Sequence, residues 1–564
     1  MDVALGNNHT QHYGHESNWE SLEDFNDESQ NPIGAPTYGY LEGALASKAL
    51  WISSFFCSTV GNVATAMTDA IKANVLDDNH PWKQKKYENA LQEWRNGFLE
   101  ITNMEIEVLH EQLQLDLIAP ASPLKEMLIA VLRVMMQTHD DYRSKYYEIL
   151  VQLREVLMSQ AYSEALTSAQ IGGTTDPILS GLLALCESRY NNVHLYNFCE
   201  CLVDAVIAQG EGDKGVTRLS HKDFDVIDHA CYSSMGAVRL AVNKGKFQGF
   251  VNVNFDPAMQ QNIPFVLADL PLTPLEDHGG EPMVVRLLRF GTPTIEGYVQ
   301  RACVAPEFAN FLVALQFQKK KHLYISLQSD IPQMVGDESE RNRVIKELQL
   351  KHGNFFSIVL DQDSPFYKQK GEFVTLTREE FKEEIRKRIY SDDHGYYFPA
   401  GWKEDYSFIR HIERLQEMAF AIAFEEGEDY HECSKSERCA YMEVLHSLLV
   451  LFCIRYSGVN SVNVSCKDSI DRAMKTVSII LQMFMVAQGN ADNPEYQKIH
   501  KVFTHAPAFM VKKQAMIVGR RSCMLSTYDL LDSAKGRRFI AQHAAELGFQ
   551  GSSFSVKRKS GQTF

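Results

Sequence analysis

Apolar residues recur at helical spacing from residue 38 to about residue 209. Ala44, Leu45 and Ile52 open a first stretch, which Pro81 closes. A second helix is predicted over 83–116, with Leu91, Trp94, Phe98, Ile101 and Met104 along one side. Pro120 and Pro123 bracket a turn, and a third helix follows over 124–160 through Leu128, Leu132 and Met135. Gly172-Gly173 breaks the pattern, and the stretch 210–215 marks a candidate boundary. Beyond it the texture changes. The runs 237–242 and 247–255, joined by Asn243-Lys244-Gly245-Lys246, read as a hairpin. Strands are predicted at 284–290, 322–327 and 355–360, alternating with helices at 338–352 and 378–390. Thr377 with Glu380 makes a capping box for the latter helix. Another helix is predicted over 405–426, and Ser434 with Glu437 caps an apolar helix reaching about residue 454. After Gly489-Asn490 the chain is helical again, at 496–504 and 530–547. This alternation predicts a helix-rich α/β protein with a mixed central sheet covered by helices.

The chain is organised around residues 462–472. Val462 and Val464 alternate with Asn463 and Ser465, as in a half-buried strand. After Arg472, the positions Val477, Ile480, Leu481 and Phe484 recur at helical spacing. The residues from Cys466 to Arg472 therefore join a strand to the N-terminus of a helix, where backbone N–H groups converge and anions and thiolates are favoured. Cys466 is the candidate nucleophile there, and Arg472 a bidentate clamp for phosphoryl oxygens. Both flanking helices are apolar nearly all round, which predicts burial and a rigid connection.

Composition narrows the setting. The chain has 564 residues, 45% hydrophobic and 23% charged, as in a soluble globular protein of several domains. Its 11 cysteines are scattered and lack paired spacings of the zinc type, so a reducing compartment and no metal cofactor are read. Residues 1–37 carry seven acidic residues and no Lys or Arg, which predicts a disordered acidic segment and no signal peptide. His9, His12 and His15 are three apart, but nothing in so polar a stretch preorganises them for a metal. Residues 49–68 lack charge for 20 positions, yet their many Ser, Thr and Asn residues favour a buried helix over a membrane span. The net charge of −16 divides unevenly: residues 501–564 hold eleven Lys or Arg against three acidic residues, a net +8. Such a basic end suits an anionic membrane surface, and equally a solvated helix face. The organisation read is a disordered segment (1–37), a helical region (38–210), a unit carrying the Cys466 connection (211–490) and a basic helical region (491–564).

The string Cys466-Lys467-Asp468-Ser469-Ile470-Asp471-Arg472 carries a resemblance. Cys-x5-Arg is the active-site loop of the cysteine phosphatases. Asp468 and Asp471 make the loop similar to those of the myotubularin and Sac-type phosphoinositide phosphatases, and the whole string most resembles the SidP/SidF-type phosphoinositide 3-phosphatases that intracellular bacteria inject into host cells. The resemblance implies removal of the 3-phosphate from PI(3)P and PI(3,5)P2 through a cysteinyl-phosphate. It also implies action on host endosomal membranes from the cytosolic side, as a peripheral protein without nucleic-acid partners.

Under that reading Cys466 attacks phosphorus. Arg472 and the amides from Lys467 through Ser469 and Ile470 hold the oxygens, and Asp468 or Asp471 protonates the leaving alkoxide. Asp361 and Asp363, next to Pro365, are the reserve acids. Lys467 would meet a second phosphate or, alternatively, point to solvent. Lys319-Lys320-Lys321-His322 and Phe366-Tyr367-Lys368-Gln369-Lys370 are basic stretches at strand ends, read as contributors to the substrate site or as surface charge. Where relatives carry Thr or Ser after the arginine, this chain has Ala473, so Ser469 or Thr476 would have to assist departure of the thiolate. Two other functions fit the sequence: a dual-specificity protein phosphatase, and a non-catalytic helical interaction protein with a vestigial loop.

Overall fold

The structure, a computed structural model, describes residues 123–136, 142–173, 177–192, 253–255, 262–275, 282–297, 302–331, 338–391, 394–424, 434–512 and 516–549, with residues 175, 196, 199, 200 and 203. The expectations for residues 1–37, the three histidines, 49–68, 83–116 and 210–215 lie outside the described residues, as does all of the 237–255 hairpin before Val253.

Four helices come first: α1 (Pro123–Met136), α2 (Tyr142–Leu157), α3 (Gln160–Gly172) and α4 (Pro177–Tyr190). Within the range 124–160 expected as one helix, the described residues form α1 and α2. The second stops where Ser159 caps α3 by accepting from the Tyr162 N–H. The strands β1 (Val253–Phe255), β2 (Phe265–Leu272), β3 (Met283–Arg289), β4 (Thr294–Gly297) and β5 (Cys303–Val304) lead to α5 (Pro306–Phe317). Then β6 (His322–Ser326), α6 (Glu338–Lys351), β7 (Phe355–Leu360), α7 (Arg378–Tyr390) and β8 (Tyr396–Tyr397) alternate. The chain continues through α8 (Tyr406–Ala423), α9 (Lys435–Ser457), β9 (Ser461–Ser465) and α10 (Arg472–Ala487), and ends in α11 (Pro494–Lys512), α12 (Val518–Asp532) and α13 (Ala534–His543). Both expected capping boxes form, at Thr377 and Ser434. The single helix expected over 530–547 is broken between α12 and α13, where Ser533 caps the second.

Six strands form one mixed sheet in the order β2-β3-β9-β6-β7-β8. The inner four run parallel, and β2 and β8 are antiparallel at the edges. Aromatic residues of α5 (Phe308, Phe311) pack with Leu288, Tyr324 and Phe355 on one face. On the other, Leu287, Val462, Val464, Leu323 and Ile325 meet the apolar sides of α9 and α10. A parallel sheet needs both faces covered, and this overturns the half-buried reading of β9. All five of its residues are buried. Its polar members are satisfied instead: Asn463 Oδ1 meets the His322 ring at 3.3 Å, and Ser465 Oγ donates to the Phe290 carbonyl at 3.2 Å.

Helix α9 is the one helix among the described residues long and apolar enough to cross a membrane, and 83% of its apolar window is buried in the protein. It is a core helix, as expected. The basic C-terminal region is partly neutralised by the fold, since Arg537 pairs with Asp492 and Asp532, Arg520 pairs with Asp363, and Arg521 is buried.

Candidate active site

Strand β9 ends at Ser465, residues 466–471 form the connection, and α10 starts at Arg472. The connection sits at the carboxyl ends of the parallel strands. There the Leu327 N–H donates to Ser465 O (2.8 Å) and the Gln362 N–H to Leu327 O (3.3 Å), so the ends of β9, β6 and β7 meet. Sites in open α/β sheets form at this edge.

The carbonyls of the connection are anchored one by one. Cys466 O accepts from the Ser469 N–H (3.1 Å) and Ser465 Oγ (3.1 Å), and Lys467 O from the Thr292 N–H (3.0 Å). Asp468 O accepts from Arg289 Nη2 (2.6 Å) and Asn262 Nδ2 (3.0 Å), and Ser469 O from Arg289 Nε (3.1 Å). In a trans peptide N–H and C=O point opposite ways, so these anchors turn the Asp468 amide away from the Thr292 turn and the Ile470 amide away from Arg289. Ser469 holds a left-handed conformation (φ 51°), fixed by its Oγ donating to Val464 O at 3.1 Å. Asp471 does not cap α10. Its Oδ1 accepts from the Ile517 N–H at 2.9 Å instead. Among the described residues, the amides of Ile470 and Arg472 have no protein acceptor.

Arg289 is fully buried. Burial brings its pKa down to about 10, while Asp468 and Cys466 favour its charge, so it remains a cation at neutral pH. Gly291 lets the β3 turn slide beneath the connection: a Cβ there would collide with Asn262 Nδ2 and lie 2.6 Å from Lys467 O.

Cys466 is 4% exposed. Its sulfur lies within electrostatic reach of Arg472, Arg289 and Tyr324. Arg472 Nη1 donates to Leu327 O and to Glu338 Oε2, both at 3.1 Å, and Nη2 donates to Glu338 Oε1. Among the described residues its Nε has no acceptor. Burial opposes the charge on Arg472, but Glu338, Cys466 and Asp363 outweigh it and hold its pKa above the usual value. Glu338, the first residue of α6, also accepts from the Ser329 N–H at 2.8 Å. Burial would raise its pKa, yet the Arg472 bonds hold it below the usual range.

The structure brings together Cys466, Lys467, Asp468, Ser469, Ile470, Asp471 and Arg472 in one connection, with Asp468 buried and Lys467 half-buried. The reserve acids separate. Asp361 is buried, and burial raises its pKa; its oxygens accept from Ser329 Oγ and from the Asp363 and Ser364 N–H groups. Asp363 pairs with Lys368 at 2.9 Å and Arg520 at 3.3 Å. The Phe366–Lys370 stretch thus lies at the same sheet edge as Cys466. Lys319 to Lys321 do not, because they precede β6 and sit at its opposite end. His322 is no ligand either: it stacks on Phe355 and Phe290 in the core. The hydroxyls offered in place of one at Ala473 are both committed, Ser469 to Val464 O and Thr476 to Arg472 O. Sequence reading missed Arg289, Asn262, Gly291, Thr292, Glu338 and Arg520. Their only trace was a charged residue closing the β3 run and an acidic residue opening a predicted helix.

In comparisons with known proteins, the chain matches no family model, no curated protein and no solved structure.

Proposed function

We propose that this protein is a metal-independent phosphoinositide phosphatase that removes the 3-phosphate of PI(3)P and PI(3,5)P2. The observation that carries the reading is the Cys466–Arg472 connection at the carboxyl edge of a parallel sheet, its carbonyls anchored from behind by Arg289, Asn262 and Thr292. Preorganised donors of this kind stabilise a phosphoryl transition state without reorganising at the moment of reaction. The Cys466 thiolate attacks phosphorus and the lipid alkoxide leaves, protonated by Asp468 or Asp471. Water then attacks the cysteinyl-phosphate, and the sulfur departs as thiolate. Arg472 binds the equatorial oxygens through the part of its guanidinium that Glu338 leaves open. The resemblance of the loop supports a bacterial effector working on the cytosolic face of host endosomal membranes, with Lys467 meeting a second headgroup phosphate.

A second reading, the interaction protein with a vestigial loop, is favoured by the 4% exposure of Cys466 and by the grip of Glu338 on Arg472. Phosphate release measured on a phosphoinositide panel and a phosphopeptide separates the readings. Release from 3-phosphorylated lipids, lost in Cys466→Ser with the melting temperature unchanged, is the expected result. Release from the peptide instead points to a dual-specificity protein phosphatase, and no release at all supports the interaction protein.

A further inference from the structure

Beside the Cys466 connection, two cations from distant parts of the chain share one carboxylate. Lys368, in the turn after β7, pairs with Asp363 Oδ1 at 2.9 Å, and Arg520, in the first turn of α12, reaches the same oxygen with Nη2 at 3.3 Å. Two positive charges against one negative leave a surplus cation at the carboxyl edge of the sheet. We propose that Arg520 and Lys368 form a second phosphate subsite, which takes the 5-phosphate of a doubly phosphorylated inositol headgroup while Cys466 acts on its 3-phosphate. The proposal rests on the phosphatase reading above and adds to it the residues that select the bisphosphorylated lipid.

Both cations are held by fixed groups. In the turn that carries Lys368, Asp361 Oδ1 accepts from the Asp363 and Ser364 N–H groups, and the Lys368 N–H donates to Ser364 O at 3.0 Å. Arg520 Nη2 also donates to Gln362 O at 3.0 Å, and its guanidinium lies over the Tyr367 ring, 5.3 Å from the centroid. That ring is buried, and its hydroxyl is held between Lys475 and Glu443. The guanidinium is therefore oriented before a ligand arrives, which lowers the ordering cost of binding. These contacts use one of its nitrogens: among the described residues Arg520 Nε and Nη1 have no acceptor. Lys368 Nζ has Asp363 as its one partner among the described residues, and its side chain is 37% exposed.

Two contacts place this pair next to the reacting end. Gln362, whose carbonyl holds Arg520, donates its N–H to Leu327 O, and Leu327 O accepts from Arg472 Nη1 at 3.1 Å. The two guanidinium groups are thus bridged by one carbonyl and the backbone of one residue. From the other side, the Ile517 N–H, three residues before Arg520, donates to Asp471 Oδ1 at 2.9 Å. The Lys467 carbonyl is anchored to Thr292 on the β3 side of β9, so Arg520 and Lys368, over β7, stand across the connection from that anchor. A planar fork beside a compact ammonium suits a phosphomonoester dianion. Asp363 holds the two cations together, and its charge opposes an entering phosphate.

The test measures binding of soluble headgroups to the full chain carrying Cys466→Ser, by titration calorimetry. Arg520→Met and Lys368→Ala should each weaken inositol 1,3,5-trisphosphate about tenfold and leave inositol 1,3-bisphosphate within about twofold. Lys368→Ala, at a half-exposed side chain, decides the matter if Arg520→Met fails to fold. Asp363→Asn should strengthen the trisphosphate several-fold, a sign that a merely structural Asp363 does not give. Equal losses on both headgroups overturn the subsite, as does an Asp363→Asn variant that weakens both. A loss confined to inorganic phosphate assigns the pair to a free anion and overturns it too. Phosphate release from lipids, with Cys466 intact, separates the two levels. An unaltered ratio of PI(3,5)P2 to PI(3)P turnover in Arg520→Met overturns the subsite alone. No release from any phosphoinositide by the unsubstituted chain overturns the phosphatase reading and the subsite with it.

Discussion

Lowering the pH from 7.5 to 5.0 is expected to unfold this protein, because five histidines among the described residues are buried in the neutral state. His322, His500 and His505 are brought down to about 3, and His446 and His352 to about 4, in each case chiefly by burial. The ring nitrogens of His322, His446 and His500 meet groups that suit a neutral imidazole, such as Tyr396 Oη and Gln362 Nε2 on His446. The sign follows from proton counting. Between the folded values and the unfolded value near 6.5, the unfolded chain binds more protons, so stability falls as pH falls. At pH 5 each unfolded histidine is about 1.5 units below its pKa, and at about 1.36 kcal/mol per unit each costs about 2 kcal/mol. Five together cost about 10 kcal/mol, comparable to the whole stability of an ordinary protein. The figure hardly depends on the folded values, since all of them lie near or below 4. Asp361 and Glu187, both raised by burial, work the other way as they protonate, but nearer the carboxylate range. Glu338 is depressed, so its contribution is complete above its unfolded pKa and disappears only as pH falls through its folded value. The loss between pH 6.5 and 5 therefore belongs to the histidines. Urea midpoints taken at constant ionic strength across this window measure it. A flat midpoint from pH 7.5 to 5.5 would refute the reasoning, as would an unchanged slope in His446→Gln.

Two substitutions probe the scaffold behind Cys466. Arg289→Met removes the donors to Ser469 O and Asp468 O and to Ile263 O; losing buried charge-assisted bonds of this kind costs about 3–5 kcal/mol. Phosphate release should fall by a factor of about 100 or more as the amides lose their direction, and a variant with full activity and wild-type melting would remove Arg289 from that role. Gly291→Ala drives a Cβ against Asn262 Nδ2 and Lys467 O, and overpacking against fixed backbone costs about 1–3 kcal/mol. Calorimetry should show the loss and the phosphate assay a matching drop; a neutral result would mean that the turn can yield.

Local chemistry was legible in the linear chain wherever short-range rules decide. Strand β7 and helix α7 fall where periodicity and the Thr377 box put them, and the strand, six-residue connection and helix around Cys466 follow from alternation giving way to helical spacing. Tertiary packing decided the rest. Burial of β9 on both faces came from its central place in a parallel sheet, and two valines between polar residues cannot announce that. The boundaries between α2 and α3 and between α12 and α13 were marked by the capping side chains of Ser159 and Ser533 rather than by helix propensity. The direction of the connection's carbonyls depends on Arg289 and Asn262, 179 and 206 residues away from Asp468 in sequence. Neither has a local pattern that marks it, because a hydrogen bond across such a separation is a property of how the layers meet. The chain by itself singled out Cys466 and Arg472 as the candidate pair. Only the folded sheet determined which way their amide neighbours face, since peptide orientation is fixed by partners that sequence order does not bring together.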